Sequence, residues 1–297
     1  MRQSNHILKT LREDPKEAQT AGHRLLVRAG FIRQVSPGVY AYMPFLLRTL
    51  NKISQIIREE MNAIGCEEFL MPSLQPKDLW VESDRWERYT DNDGIMFAFR
   101  DRRGSTVCLG PGYEEVVTDI VRKEVNSYKQ FPKRLYQIQT KFRDEIRPRF
   151  GLLRPREFLM MDAYSFDLDE AGLNVSYRVM HDVYRNILGR IGLTYRCVEA
   201  NAGAMEGSDC HDFVALADTG DTMAFCETCE YAATQERADS RLEVYPQDEE
   251  QKPMEAVHGP GLIGVEPLAE FLGIPVWKTT KTLLYQADSK IVAVMVR

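Results

Sequence analysis

Two alternating strands joined by an arginine-rich loop constrain this chain more than any other feature. In RLYQIQTKFRDE, alternate residues point to opposite faces of a strand. One face carries Tyr136, Ile138, Thr140 and Phe142; the other carries Gln137, Gln139, Lys141 and Arg143. The spacing predicts strands at roughly 134–143 and 157–166. A polar face of this kind is ordinarily solvated in an antiparallel sheet. The loop between them, DEIRPRFGLLRPRE, holds Arg147, Arg149, Arg154 and Arg156. Guanidinium forks pair bidentately with phosphate and stay charged. Beside Arg143 they would form a local anion site on a chain of net charge −6. The loop's prolines, with Phe150, Leu152 and Leu153 interleaved, predict an ordered loop that closes over something rather than a solvated charge run.

The rest of the chain supports an α+β fold. Residues 20–29 read as a helix ending at Gly30, followed by two short strands around Ser36-Pro37-Gly38. Pro44 opens a long amphipathic helix, with Leu46, Leu50, Ile53, Ile57, Met61 and Ile64 on one side and Gly65 as its cap. CEEFLM reads as a strand closed by Pro72. IMFAFRD and STVCLG read as a hairpin, and Gly110-Pro111-Gly112 precedes a second amphipathic helix. A helix over 169–191 and the strands LTYRCVEA and HDFVALAD complete a first unit. Helices set between adjacent antiparallel strands argue for α+β rather than a doubly wound parallel sheet. Neither a G-x-G-x-x-G nor a G-x-x-x-x-G-K-[ST] sequence is present, so nucleotide binding would need other chemistry.

The texture changes after about residue 224. Residues 236–258 are acidic and proline-containing and read as a linker. PLAEFLG reads as a short helix, and KTTKTLLYQ and KIVAVMVR as strands. The expected domains are 1–223 and 224–297. No stretch of about 18 apolar residues suggests a membrane span. The polar N-terminal segment lacks the apolar core of a secretory signal. Of the six cysteines, Cys66, Cys108, Cys197 and Cys210 are scattered, as buried thiols of a reducing compartment are. A cytoplasmic location is expected.

Phe142-Arg143-Asp144-Glu145, then the loop, then Arg154-x-x-x-Phe158, resembles motif 2 of class II aminoacyl-tRNA synthetases. LVRAGFIRQVSPGVYAYMP and the run from SYKQFPKRLYQ to MMDAYSF are similar to bacterial prolyl-tRNA synthetases. The long helix with CEEFLMPSLQPKDLW resembles their motif 1, with Pro72 as its proline. The resemblance implies a class II antiparallel sheet flanked by helices, a homodimer through motif 1, and activation of proline by ATP and Mg2+ before transfer to the acceptor end of tRNA(Pro). It implies that Arg143 holds the ATP α-phosphate and the substrate carboxylate, that Glu145 meets adenine and Phe158 stacks on it, and that Arg154 reaches the distal phosphates. In-line attack of a carboxylate on the α-phosphorus needs positioning and charge neutralisation more than a protein nucleophile.

Three departures alter these expectations. The family's Gly-Pro-Thr-His-Glu-Glu stands here as Gly110-Pro-Gly112-Tyr113-Glu114-Glu115. Glu114 keeps the position that grips the proline imino group, and Gly112 loses a hydroxyl, worth about 0.5–1.5 kcal/mol or more if a buried partner is left unpaired. Weakened proline recognition and replacement of that hydroxyl by water or Tyr113 are both open. The segment Glu206-Gly207-Ser208-Asp209-Cys210-His211-Asp212-Phe213 keeps Gly207, Ser208 and His211 of the family's pattern, with Asp212 in place of glutamate. His211 is a candidate pocket residue, although a lone histidine is more often structural. Motif 3 and the anticodon-binding domain are not found before Arg297, so adenylation by this chain alone is expected to be impaired.

Residues from about 224 resemble the start of the family's editing insertion, which deacylates alanyl-tRNA. A proline pocket excludes a smaller side chain poorly, since each missing methylene is worth about 1–3 kcal/mol. Lys281 takes the place of the lysine implicated in editing, and both it and Lys278 could equally be solvated strand lysines. Cys226-Glu-Thr-Cys229 is a lone C-x-x-C, and a zinc site would want two more ligands. The rival expectations are a non-catalytic paralogue acting by binding and, less favoured, a free-standing deacylase.

Overall fold

The computed structural model describes residues 5, 7, 9–91, 94–201, 210–239, 253–259, 261–262, 264–287 and 290–296. Two compact units are distinguished, Met1–Asp239 and Ser240–Arg297. Gly207 and Ser208 lie outside the described residues.

In the first unit, helix α1 (Ala21–Arg28) is capped by Thr20, whose side chain accepts the His23 N–H. Strands β1 (Ile32–Ser36) and β2 (Val39–Tyr42) form a hairpin. Helix α2 (Pro44–Ala63) starts on proline, whose fixed φ and missing N–H suit a first helical position. Strand β3 is only Glu67–Glu68, shorter than CEEFLM suggested. Then come β4 (Leu74–Pro76), α3 (Lys77–Glu82), α4 (Trp86–Thr90), β5 (Phe97–Arg100), β6 (Thr106–Leu109) and α5 (Glu114–Glu124). The long strands are β7 (Lys133–Phe142) and β8 (Glu157–Phe166). Helix α6 (Glu170–Ile191) is capped by Asp169 and closed by Gly192 in the left-handed region at φ 83°. Strands β9 (Tyr195–Glu199), β10 (His211–Ala215), β11 (Met223–Phe225) and β12 (Ala232–Thr234) end the unit.

The α+β architecture holds, but as several small sheets and with some parallel pairing. Strands β7 and β8 run antiparallel, with Lys133 opposite Phe166 and Phe142 opposite Glu157. Strand β3 joins β7 in parallel. A second sheet has the order β4-β6-β5 and a third β10-β9-β12-β11, in which β12 runs parallel to β9. The expected boundary at 223/224 therefore falls inside a sheet: β11 and β12 pair with the first unit's strands.

The β7–β8 ladder sits between two cores. On the Tyr136 side, Met61 of α2, Cys66, and Val183 and Ile187 of α6 are buried together. Burying each such side chain is worth about 1.5–3 kcal/mol. On the opposite side, Tyr113 and Val116, Val117 and Val121 of α5 pack with Met71 against Leu135 and Tyr164.

In the second unit, α7 (Val265–Leu272) ends at Gly273. Residues Val276–Lys278 form a 3-10 turn, so β13 (Lys281–Ala287) starts later than KTTKTLLYQ implied. It pairs antiparallel with β14 (Lys290–Val296).

Candidate active site

The polar face of β7 is covered, not solvated. Gln137 is 0% and Lys141 1% exposed. Polar groups removed from water need partners, and this face supplies them from its own strand pair. The Lys141 ammonium bonds the Asp162 carboxylate of β8 and lies 4.0 Å from the centroid of the Tyr113 ring. Asp162 also accepts from Gln137 Nε2 at 3.0 Å and from the Tyr164 hydroxyl. Gln137 Oε1 accepts the Met71 N–H at 3.0 Å, and Gln139 Nε2 donates to the Met71 carbonyl at 2.9 Å. Burial pushes the Lys141 pKa below its ordinary value, in spite of Asp162. Burial and the bond to Asp162 push the Tyr164 phenol up.

The segment 110–115 meets this face at the start of α5. Glu114 and Glu115 occupy the helix's first turn, where carboxylates suit the positive end of the dipole. Glu114 Oε2 is buried and has no hydrogen-bond partner among the described residues. Both Glu114 and Arg143 act electrostatically on Lys141, which places all three charges around one site. A Cβ at position 112 would lie 2.3 Å from Glu114 Oε2, the movable end of a side chain, so a larger residue there would shift the Glu114 carboxylate. The Tyr113 side chain is turned into the core, and its hydroxyl donates to Ser73 Oγ or the Thr140 carbonyl, at 3.2 and 3.1 Å. Gln75, fully buried, holds the Gly112 carbonyl through Nε2 at 3.1 Å and receives the Trp80 indole N–H at 2.9 Å. Glu115 is occupied elsewhere, by Arg85 at 3.0 Å and the Ser83 hydroxyl.

The arginines sort into distinct environments. Arg143 lies with its guanidinium carbon 5.3 Å from the Phe158 ring centroid, and its Nε is buried without a partner among the described residues. Arg154 and Glu145 are brought together, Nε to carboxylate at 2.7 Å. Burial opposes ionisation of Glu145, but Arg154 and the nearby Arg149 outweigh it and hold its pKa below the ordinary value. Arg156 pairs with Asp144 and lies 4.9 Å from the Phe97 ring centroid. The loop is ordered, as its sequence suggested. Residues Gly151–Leu153 form a 3-10 turn, and Phe150 holds the left-handed conformation at φ 61°. The Arg156 N–H bonds the Gly38 carbonyl at 2.7 Å, and a Cβ on Gly38 would meet Pro148 at 2.6 Å. The β1–β2 turn thus buttresses the loop closely enough to require glycine.

Arg149, Phe150, Leu153 and Arg154 form one wall of an open groove of about 1340 Å³. The other wall runs from Asp212 through Met223 and includes Phe225. His211 is exposed and directed elsewhere: its Nδ1 lies 2.8 Å from the Tyr177 hydroxyl and its ring meets His181 edge-on. Among the described contacts none joins it to Glu114 or Arg143. Lys281, in the second unit, is exposed at the start of β13. Sequence reasoning missed Asp162, Tyr164 and Gln75. A lone aspartate within the apolar run FLMMDAYSF was the available signal for Asp162. Nothing local marked Gln75.

Residues 97–268 match the family described as the tRNA synthetase class II core domain (G, H, P, S and T). This chain belongs to that family. Class II core relatives extend the likeness to the whole sequence. The proline–tRNA ligase of Oleidesulfovibrio alaskensis is 50% identical over 298 aligned positions, covering 100% of this chain and 51% of the relative. That of Halothermothrix orenii is also 50% identical, covering 100% and 52%. The chain thus spans about half the length of the curated class II relatives it matches. Among solved structures, Giardia lamblia prolyl-tRNA synthetase in complex with prolyl-adenylate superposes with a TM-score of 0.55 at 20% identity, over 59% of this chain and 36% of that one. A threonyl-tRNA synthetase structure from Cryptosporidium parvum superposes with 0.51 at 26% identity, over 58% and 42%.

Proposed function

We propose that this chain carries the amino-acid activation site of a proline–tRNA ligase. The observation that carries the reading is the convergence of Glu114, Lys141, Arg143 and Phe158 on one buried sheet face. A buried carboxylate oxygen with no partner suits a cationic imino nitrogen. The Arg143 guanidinium, 5.3 Å from the Phe158 ring, takes the α-phosphate and the attacking carboxylate, and Phe158 supplies a flat apolar surface for adenine. The reaction is attack of the proline carboxylate on the ATP α-phosphorus with loss of pyrophosphate, followed by transfer to the acceptor end of tRNA(Pro). The chain's part is to orient the two anions and neutralise their charge. For Arg154 to reach the distal phosphates, its bond to Glu145 must open, which leaves Glu145 for the adenine edge. Residues 240–297 carry the start of an editing insertion with Lys281, and α2 with β3 contributes to a homodimer.

Among the described residues no three His, Cys, Asp or Glu side chains are grouped to hold a metal. Magnesium, when bound with ATP, would supply further charge neutralisation for the phosphates, and Arg143 and Arg154 would serve the same anion.

Calorimetry of the chain with a non-hydrolysable prolyl-adenylate analogue tests the reading. Binding is expected, and Arg143→Ala should weaken it about 10- to 100-fold, as loss of a charged hydrogen bond of about 1.5–3 kcal/mol implies. Equal affinity of both proteins would sink the Arg143 assignment. No binding at all would favour the second reading, a paralogue that kept the fold but not the ligand, for which glycine in place of the family's threonine at position 112 is the supporting observation.

A further inference from the structure

The six cysteines fall into two chemical groups. Cys66 and Cys108 are buried, Cys197 and Cys210 half-buried, and burial raises the pKa of all four, that of Cys108 to about 12. The remaining two sit in the turn between β11 and β12, where Cys229 is exposed and Cys226 half-buried. The turn is shaped around the Cys226 sulfur. It accepts the Thr228 N–H at 3.4 Å and lies 3.1 Å from the Thr228 hydroxyl. The Cys226 N–H is in turn tied to the Tyr231 carbonyl at 2.9 Å, which fixes the base of the turn. Hydrogen bonds to sulfur favour the thiolate, and Cys226 is lowered to about 7, first by Thr228 and then by Cys229. The flanking charged side chains in the turn are Glu227 and Glu230, both exposed.

We propose that Cys226 and Cys229 are a redox-active dithiol that oxidises reversibly to a disulfide by exchange with small-molecule disulfides, Cys226 being the attacking sulfur. The Cys226 thiolate attacks one sulfur of the external disulfide. The external S–S bond breaks, and one small thiol leaves as thiolate and takes a proton from water. The Cys229 thiol gives up its proton to water and attacks the Cys226 sulfur of the mixed disulfide, releasing the second small thiolate. Two protein thiols are oxidised and one external disulfide is reduced to two thiols. Cys226 and Cys229 share the one turn between β11 and β12, so the ring closes within it. Among the described residues no third metal-ligating side chain joins the pair. This inference does not rest on the proposed ligase activity.

The test is exposure of the full reduced chain to oxidised glutathione at pH 7, with alkylation of the remaining thiols and peptide mass mapping. The Cys226–Cys229 peptide should become resistant to alkylation first and lose two hydrogens, and it should recover in excess reduced glutathione. Half ionisation, offset by the lower nucleophilicity of a more acidic thiol, makes Cys226 about threefold faster than an ordinary thiol. By the same reasoning it should be more than about a hundredfold faster than Cys108. In Cys229→Ser the mixed disulfide with glutathione should accumulate on Cys226; in Cys226→Ser the fast reaction should vanish. Oxidation of this peptide no faster than of Cys197 and Cys210 would overturn the proposal. So would failure of Cys229→Ser to hold glutathione, or tightly bound stoichiometric zinc that blocks the reaction.

Discussion

On one face of β7, Tyr136 is sealed by Met61, Val183 and Ile187; on the other, the neighbouring Gln137 and Lys141 are sealed by α5 and Tyr113. The first face is held by apolar area, which is non-directional and tolerates substitution of similar volume. The second is held by a closed set of partners around Asp162, and every member depends on the others. The difference shows how a polar stripe can be buried and still stable. It also sets the faces apart chemically, since Lys141, Asp162 and Arg143 lie on the second.

The comparison can be broken most forcefully at Lys141. Lys141→Met leaves Asp162 without its cation in a water-poor site, so a loss of about 3–5 kcal/mol is expected in urea unfolding. Lys141→Met with Asp162→Leu should recover most of that loss. If the single variant costs under ~1 kcal/mol, the closed-network account of this face is wrong. On the apolar face, Val183→Ala removes two buried methylene equivalents and should cost about 2 kcal/mol, with little effect on ligand binding. Tyr136 brings a polar contact to that face, its hydroxyl donating to Asn62 Oδ1 at 2.9 Å or Glu68 Oε2 at 3.3 Å; Tyr136→Phe should cost only about 1 kcal/mol. The smallest effect concerns Glu145. Its pKa is held below the ordinary 4.5, so the stabilisation from Arg154 is present above that value and is lost as pH falls through the lowered one. Arg154 is half exposed, so this is worth under ~1 kcal/mol. Glu145→Gln should flatten the acid limb of the urea midpoint between pH 6 and 3, and an unchanged limb would remove the pair from the argument.

Much of the fold was legible because its signals are local. Pro44 and Gly65 bracket α2, alternation runs along β7 and β8, and the prolines and apolar residues of the arginine loop foretold its order. The strands' short partners were harder to read. CEEFLM shrank to Glu67–Glu68, and β11 and β12 proved to belong to the first unit's sheet, because edge pairing depends on distant backbone rather than on the segment's own pattern. The candidate site divided similarly. Arg143, Phe158 and Glu114 were named from the family resemblance, and all lie around the buried face. His211 was named as well, yet it faces Tyr177 and His181.

The sequence by itself determined which residues could alternate, cap, turn and carry charge, since these follow from side-chain chemistry and spacing along the chain. Only the tertiary structure decided that the polar face of β7 is dry. That outcome depends on α5 and Tyr113, contributed from about 25 residues earlier, covering the strand. Once it is covered, desolvation favours Lys141, Asp162, Gln137 and Tyr164 joining one hydrogen-bonded set, because each buried polar group left without a partner costs about 1–3 kcal/mol.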